Sequence, residues 1–148
     1  MPLEKNITRE KIILASDHAG FQLKEEIKNF LIKKRRKVLD LGTKNNSSVD
    51  YTDFAHLLSR KINKSNQFGI LVCGSGIGMC MSANRHKNVR AALCYNIKST
   101  KLSRQHNNAN VMTIGARLTE KNVALRCVST FIKTNFIGRH HTRRVKKI

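Results

Sequence analysis

Residues 68–82 read FGILVCGSGIGMCMS, and this stretch decides the fold. An apolar run ends on the thiol of Cys73, a turn with three glycines follows, and a helical pattern resumes near Ile77. A buried strand that leads through a glycine-rich turn into a helix is the repeating unit of parallel sheets covered by helices. The stretch therefore predicts that further strand–helix units flank it on both sides.

Strand patterns and helix patterns do alternate along the chain. Strands are predicted at 11–16, 37–42, 69–73, 89–94 and 110–115. Helices are predicted over roughly 20–35, 53–63, from 77 onward and over 119–136, with Thr119 as an N-cap, and 97–107 is either helix or loop. This order predicts an α/β fold, a Rossmann-like three-layer sandwich with a five-stranded parallel sheet and helices on both faces.

The length and composition suit a single domain. With 148 residues, of which 40% are hydrophobic, the chain is large enough to bury its own core. We expect one domain over 1–148, with an N-terminal extension at 1–10 and a basic tail at 137–148 that an isolated chain holds only loosely. No stretch approaches the roughly 20 apolar residues of a membrane span. The first residues lack the apolar segment of a secretory signal, so a cytoplasmic location is predicted.

The cysteines and histidines show no pattern of a disulfide framework or a metal site. The four cysteines form no CxxC pair and lie in apolar segments, and the six histidines lack the spacing of zinc ligands. A core of this size does not need disulfides. We therefore expect neither disulfides nor a bound metal.

The net charge of +20 indicates phosphate-bearing partners but does not by itself indicate nucleic acid. The basic residues are spread along the chain, and the densest run, KKRRK at 33–37, is typical of the solvated end of a helix. The sequence alone therefore argues against nucleic-acid binding as the primary function.

Ligands of parallel sheets bind beyond the carboxyl ends of the strands, where this chain carries polar and reactive residues. Asp17 and His18 follow the first predicted strand, and Cys73 ends the third beside a helix N-terminus, which favours thiolate over thiol. Cys73 is then either a nucleophile or a base, or it is a small buried hydrophobe. That last role is assigned to the remaining cysteines, Cys80, Cys94 and Cys127.

The glycine turn and several basic residues add candidates for anion binding. GSGIG fits neither the dinucleotide fingerprint nor the P-loop, so it indicates either an anion site or close packing of helix on sheet. His106, before the last predicted strand, is either a general acid or a surface residue. The arginines suited to phosphate recognition are Arg117, Arg139 and Arg143.

Six segments together resemble the type B ribose-5-phosphate isomerases and their relatives among the sugar-phosphate isomerases. They are ASDHAGFQLKEEI, DLGT, DYTDFA, GILVCGSGIGMCMSANRHKNVRAALC, KLSRQHNNANVMTIGARL and GRHHTRRV, in the family's order from about Lys11 to Arg144. The chain departs from the family at Thr52, where proline is usual, which predicts a looser loop at Tyr51.

The resemblance implies an aldose–ketose isomerase that interconverts D-ribose 5-phosphate and D-ribulose 5-phosphate through ring opening and an enediolate. It implies that Cys73 is the base, that His106 opens the ring as an acid, and that Asp17 assists. The implied enediolate contacts are Gly74, Ser75, Gly76, Ile77 and Gly78. The implied sugar contacts are Tyr51 and Asn107, and the implied phosphate contacts are His18, Arg117, Arg139 and Arg143. The reaction requires neither a metal nor a redox cofactor.

The resemblance also implies a homodimer, or a dimer of dimers, whose sites lie between two chains, so that the arginines of the basic tail reach a second copy. Two alternatives stay open. One is the same chemistry on a six-carbon aldose 6-phosphate such as allose or galactose 6-phosphate. The other is a protein without catalytic activity that binds phosphate compounds, sugar phosphates or nucleic acid through its basic surface.

Overall fold

Strands and helices alternate in residues 11–63 and 67–148, which the computed structural model describes; the extension at 1–10 lies outside these residues. The strands are β1 (Lys11–Ser16), β2 (Lys37–Asp40), β3 (Phe68–Cys73), β4 (Ala91–Leu93) and β5 (Val111–Gly115). The helices are α1 (Phe21–Lys33), α2 (Tyr51–Lys61), α3 (Ile77–Ala83), α4 (Ile97–Asn107), α5 (Lys121–Lys133) and α6 (His140–Val145).

The five strands form one parallel sheet in the order β2-β1-β3-β5-β4, which confirms the predicted fold class. The strand β3 lies at the centre, with Ser16 of β1 beside Val72 and Gly115 of β5 beside Cys73. The residues that follow β1, β3 and β5 are therefore neighbours at the carboxyl edge of the sheet.

Alternate strand residues face two separate cores. Ile12, Ile70 and Met112 belong to a core with residues of α1 and α5. Ile13 and Leu71 belong to a core on the opposite face with residues of α2 and α3. The period of two along a strand sends successive side chains to opposite faces, so a sheet covered on both sides needs continuous apolar strands. This is why the β3 run is apolar at nearly every position.

Helix boundaries differ from the predicted ones where turns intervene. α2 begins at Tyr51, two residues earlier than expected, and Asp50 is its N-cap in extended conformation. α5 begins at Lys121 with Glu120 as the N-cap, so the prediction of Thr119 was wrong. A turn closed by the Leu118 N–H to the Gly115 carbonyl precedes that helix and delays its start. None of the helices within the described ranges combines the length and apolarity needed to cross a membrane.

The segment 97–107, left open between helix and loop, is the helix α4. The side-chain oxygen of Asn96 accepts a hydrogen bond from the Ser99 N–H at 2.7 Å and caps its first turn. Asn108, at φ 49°, ends the helix in the left-handed region that asparagine tolerates better than most residues. His106 and Asn107 therefore belong to the last turn of α4.

The basic tail is ordered against its own chain. The Ile137 N–H donates to the Gln105 carbonyl of α4 at 3.1 Å, and the short helix α6 follows. The His141 ring of α6 stacks on the His106 ring, with the centroids 4.2 Å apart. These contacts join the tail to α4 within one chain.

Candidate active site

A cleft of about 540 Å³ opens at the carboxyl edge of the sheet, beyond β1, β3 and β5. Its lining residues are Asp17, Tyr51, Cys73, Gly74, Ser75, Ile77, Gly78, Met81, Arg117 and Leu118. All but Met81 and Leu118 are among the residues that the sequence singled out. The cleft therefore collects most of the predicted site from loops that lie far apart along the chain.

Cys73 ends β3 at the base of this cleft with a 4% exposed residue surface. Its Sγ accepts a hydrogen bond from the Gly76 N–H at 3.1 Å. Gly76 has φ +79°, and a Cβ there would lie 2.7 Å from Leu93 Cδ1, so the turn requires glycine for both conformation and space. The tight turn points a backbone donor at the sulfur, which suits a sulfur that carries negative charge.

Ser75 lies in the same turn and is held by the first turn of α3. Its Oγ accepts a hydrogen bond from the Ile77 N–H at 3.2 Å. A hydroxyl that accepts one hydrogen bond still has its own proton to donate. Ser75 can therefore act as a positioned donor at the entrance of the cleft.

Asp17 and His18 follow β1 and contact different parts of the chain. Asp17 is buried, and its Oδ1 accepts from the Gly20 N–H at 2.9 Å, which fixes the carboxylate at the start of α1. The His18 Nδ1 accepts from the Val49 N–H at 3.1 Å and so anchors the loop before α2. Asp17 lines the cleft, whereas His18 lies beside it.

Tyr51 and Arg117 cover two glycines of the turn. A Cβ on Gly78 would lie 2.5 Å from the Tyr51 ring, and a Cβ on Gly74 would lie 3.2 Å from an Arg117 nitrogen. Both large side chains approach this closely because the glycines carry none. Thr52, at the position where proline is usual, lies in the first turn of α2. A backbone N–H in this turn has no partner within the helix, so the helix can begin with either residue, and Tyr51 lies at the cleft.

The remaining predicted residues form a second cluster at the opposite edge of the sheet. α4 starts beyond the carboxyl end of β4 and ends just before β5 begins, so His106 and Asn107 lie at the amino edge. Asn107 lines a separate cavity of about 490 Å³ there. Arg139 and Arg143 belong to the tail that packs on this end of α4, and both are exposed.

The structure thus divides the predicted site into two parts within one chain. The resemblance assigned only the arginines of the tail to a second copy, and His106 and Asn107 lie at the same edge of the sheet as α6, which carries Arg143. The order of the elements already implied that His106 and Asn107 lie at the amino edge, because a helix that links two parallel strands must return to that edge before the next strand starts. The acid and the base that the resemblance implies are therefore not neighbours within a single chain.

Met81 and Leu118 are the cleft residues that the sequence reasoning missed. They are 69% and 71% exposed, and both line the same cleft. Met81 lies one turn after Ile77 and Gly78 on α3, and Leu118 directly follows Arg117. Helical spacing and adjacency were therefore the signals that could have identified them.

The other three cysteines have raised thiol pKa values. Burial raises the pKa of Cys94 to about 12 and also raises the pKa values of Cys80 and Cys127. These three side chains are therefore thiols at neutral pH. They behave as the small hydrophobes that the sequence indicated.

In residues 11–63 and 67–148, no three side chains of histidine, cysteine, aspartate or glutamate converge to hold a metal ion. All four cysteines are free thiols.

A comparison with protein families matches residues 12–148 to a family described as Ribose/Galactose Isomerase. Among curated proteins, the chain is 34% identical to ribose-5-phosphate isomerase B of Escherichia coli over 140 residues, which cover 94% of each chain.

Two solved structures extend the similarity to the whole fold. A ribose 5-phosphate isomerase from Thermotoga maritima superposes with a TM-score of 0.90 at 45% identity, covering 93% of this chain and 96% of that one. Ribose-5-phosphate isomerase B from Mycoplasma genitalium, solved with bound ribulose-5-phosphate, superposes with a TM-score of 0.89 at 42% identity, covering 93% and 92%.

Proposed function

The chain belongs to the ribose/galactose isomerase family, and we propose that its cleft interconverts D-ribose 5-phosphate and D-ribulose 5-phosphate. The observation that carries this function is the similarity to the Mycoplasma genitalium enzyme, which was solved with ribulose-5-phosphate bound. The chemistry of the cleft agrees, because it combines a thiol base, hydroxyl and amide donors, and a guanidinium.

Cys73 is the proposed base of the isomerisation. The reaction removes the proton from C2 of the open-chain aldose and returns a proton to C1, so one group at the correct position serves both steps. The Sγ accepts the Gly76 N–H and lies at the start of α3, where partial positive charge favours an anion. The thiolate then takes the C2 proton, and an enediolate forms.

The enediolate requires donors where negative charge develops on oxygen. The Gly76 and Ile77 amides already donate to Cys73 Sγ and Ser75 Oγ, so they serve by positioning those two atoms. The Ser75 hydroxyl proton and the amides of Ser75 and Gly78 are the proposed donors to the enediolate. In this proposal some amides of the turn position Cys73 and Ser75, and others donate to the enediolate.

Substrate binding is assigned to the polar side chains around the turn. Asp17 holds one carboxylate oxygen on the Gly20 amide, and its second oxygen is the proposed contact to a sugar hydroxyl. Tyr51 is the proposed aromatic contact to the sugar. Arg117 and His18 are the proposed phosphate contacts of this part of the site, and binding of the remote phosphate helps to orient the reacting carbons.

Ring opening requires an acid, and we propose that a second copy of the chain supplies it. His106, Asn107, Arg139 and Arg143 lie at the amino edge, away from the cleft of their own chain. In a homodimer with twofold symmetry, each copy can present this cluster to the cleft of the other. The exposed apolar side chains of Met81 and Leu118 at the cleft support this arrangement, because a second chain would cover them.

We also propose that the protein works in a reducing compartment, the cytoplasm. Its four cysteines are free, as is usual where thiols stay reduced.

The first experiment follows conversion of ribose 5-phosphate to ribulose 5-phosphate by the purified protein and by Cys73→Ala. Loss of the base should lower kcat by a factor of about 10²–10⁴, while the melting temperature and sugar-phosphate binding stay close to those of the parent. Cys80→Ala is the matched control, since Cys80 is a partly buried thiol on α3, and it should retain activity. Retained activity in Cys73→Ala would disprove this mechanism.

The same assay with allose 6-phosphate and galactose 6-phosphate tests substrate choice. We expect the pentose phosphate to have the highest kcat/KM. Turnover of only a hexose phosphate would keep the base and change the substrate. Binding without turnover of any of these sugars would contradict an enzymatic function.

The shared site is tested by mixing two inactive variants, Cys73→Ala and His106→Ala. In a mixed dimer one site carries both substitutions, and the other combines an intact Cys73 with an intact His106. Random mixing of subunits with twofold symmetry should therefore restore about a quarter of the parent activity. No recovery, although subunit exchange is demonstrated with labelled chains, would place each site within one chain.

A further inference from the structure

Two histidine rings stack where the tail meets α4. The His106 and His141 rings are nearly parallel, at 14°, with centroids 4.2 Å apart. The His140 ring is tilted by 40° against that of His141, with centroids 4.0 Å apart. His141 therefore contacts both rings and covers one face of His106.

His106 needs such support because it lies close to a helix end. It is in the last turn of α4, which ends at Asn108 in left-handed conformation. Side chains in a last turn have few neighbours to hold their rotamers, and a general acid works only when its N–H points at the atom it protonates. A parallel ring on one face restricts rotation of the imidazole and still leaves its edge nitrogens available.

His141 is itself held by the backbone of the tail. The Ile137 N–H bonds to the Gln105 carbonyl, one residue before His106, and the His141 N–H bonds to the Gly138 carbonyl at 3.0 Å. Gly138 has φ +74°, which allows the tight turn between these two anchors. The backbone that carries His141 is thereby connected to α4 through two backbone hydrogen bonds.

We propose that His141 is a positioning residue that fixes the orientation of the His106 imidazole for ring opening. This role rests on the proposed function, in which His106 is the acid. His141 touches no substrate in this proposal and acts only through the His106 ring.

The charges around the stack are consistent with this role. Burial lowers the pKa of His141, as do the neighbouring charges of His140, His106 and Arg144. His141 is therefore the uncharged ring beside a group that must carry the proton. A neutral aromatic ring can stack on an imidazolium without repulsion.

Ring opening can be separated from isomerisation by the choice of substrate. Ribose 5-phosphate is mainly a closed furanose, so its conversion requires the acid. Ribulose 5-phosphate has no furanose form, because the hydroxyl that would close the five-membered ring carries the phosphate. Exchange of its C1 proton with solvent requires only proton abstraction by Cys73 and return of a solvent-derived proton, and no ring is opened or closed.

The experiment measures the conversion of ribose 5-phosphate and the uptake of solvent deuterium at C1 of ribulose 5-phosphate for the parent, His141→Ala and His141→Phe. Loss of the stacked ring should lower kcat/KM for ribose 5-phosphate by about tenfold through misorientation of the acid. The rate of deuterium uptake into ribulose 5-phosphate should change much less. His141→Phe keeps a flat ring at the stack and should recover most of the lost activity.

Two further variants serve as a reference and a control. His106→Ala shows the full loss of the acid, and the effect of His141→Ala should vanish when both substitutions are combined. His56→Ala is the matched control, because His56 also contacts another histidine ring, that of His86, on the α2 and α3 side of the sheet. It should leave both ribose 5-phosphate conversion and deuterium uptake unchanged.

An equal loss of ribose 5-phosphate conversion and of deuterium uptake, with no recovery in His141→Phe, would overturn the inference and make His141 a structural residue of the tail. Unchanged activity in His141→Ala beside an active parent would overturn it as well. A parent that does not convert ribose 5-phosphate is a different result, since it would contradict the proposed function itself.

Discussion

Gly78 and Gly115 differ in which atoms a methyl group in place of hydrogen would meet. A Cβ on Gly78 would press on the Tyr51 ring, which is a side chain that can move away. A Cβ on Gly115 would lie 2.5 Å from the Ser75 carbonyl oxygen, which belongs to the backbone of the glycine turn. Gly78 therefore leaves room for the Tyr51 side chain, whereas Gly115 leaves room for the backbone of the glycine turn.

We predict that Gly78→Ala folds normally and binds substrate more weakly. Alanine favours the helix over glycine by about 1 kcal/mol, so the melting temperature should not fall. Displacement of Tyr51 should raise KM for ribose 5-phosphate roughly threefold to tenfold, because the sugar loses its aromatic contact.

The control is the double variant Tyr51→Ala/Gly78→Ala, which should match Tyr51→Ala, because the glycine acts through the tyrosine. Gly115→Ala, in contrast, should lose about 1–3 kcal/mol of stability to overpacking, together with activity. An unchanged KM in Gly78→Ala would show that Tyr51 does not contribute to binding.

At the scale of elements, a buried lysine links α1 to β2. Lys24 is only 1% exposed, and its Nζ lies 2.8 Å from an Asp40 carboxylate oxygen and 3.0 Å from Glu25. Lys28, one turn further along α1, contacts the same two carboxylates. Lys24 lies on the buried face of α1 with Leu23 and Ile27, and these acidic partners make its burial possible.

The pKa values of this cluster define its pH dependence. Burial alone would raise the pKa values of Asp40 and Glu25, but hydrogen bonds from Lys24 and Lys28 outweigh it, so both lie below their ordinary values of 3.8 and 4.5. A lowered carboxyl pKa adds stability above the ordinary value and loses it as the pH falls through the lowered one. The cluster therefore stabilises the fold at neutral pH and fails in acid.

We predict that Asp40→Asn lowers the free energy of unfolding by about 2–3 kcal/mol at pH 7, because it leaves a buried lysine with only Glu25. Urea titrations at pH 7 and below pH 4 measure this difference, which should shrink in acid as the parent carboxylates become protonated. Glu26→Gln removes the exposed pair with Lys121, 3.9 Å apart, and should cost at most about 0.5 kcal/mol. A pH-independent difference would contradict the assignment to ionised Asp40.

At the scale of the whole molecule, the net charge of +20 produces a positive potential that attracts anions. A basic protein attracts phosphate esters over distances of about a Debye length, roughly 10 Å at 0.1 M salt. The charge thus has a use that does not require nucleic acid.

We predict that kcat/KM for ribose 5-phosphate falls as NaCl is raised from low to physiological concentration, mainly through KM, since salt screens the approach and binding of the phosphate. Steady-state kinetics at constant pH measure this dependence, and the melting temperature over the same range controls for unfolding. A kcat/KM that is independent of salt would mean that the charge has no part in substrate capture.

Much of the fold and part of the site could be predicted from the sequence because their signals are local. The apolar runs and helical stripes predicted all five strands, and the glycine turn after Cys73 identified the cleft. Positions set by turns were less accessible, such as the start of α5 after the turn at Gly115–Leu118 and the order of the tail against α4.

The sequence by itself determined the strand–helix order, and with it the parallel sheet and the chemical groups at its carboxyl edge, because periodicity and strand ends depend only on neighbouring residues. Only the tertiary structure decided which of those groups meet. It separated His106 from Cys73, stacked His141 on His106, and joined Lys24 to Asp40, sixteen residues along the chain. Such contacts depend on how segments that are far apart in the sequence pack together, and a local sequence pattern does not specify which segments meet.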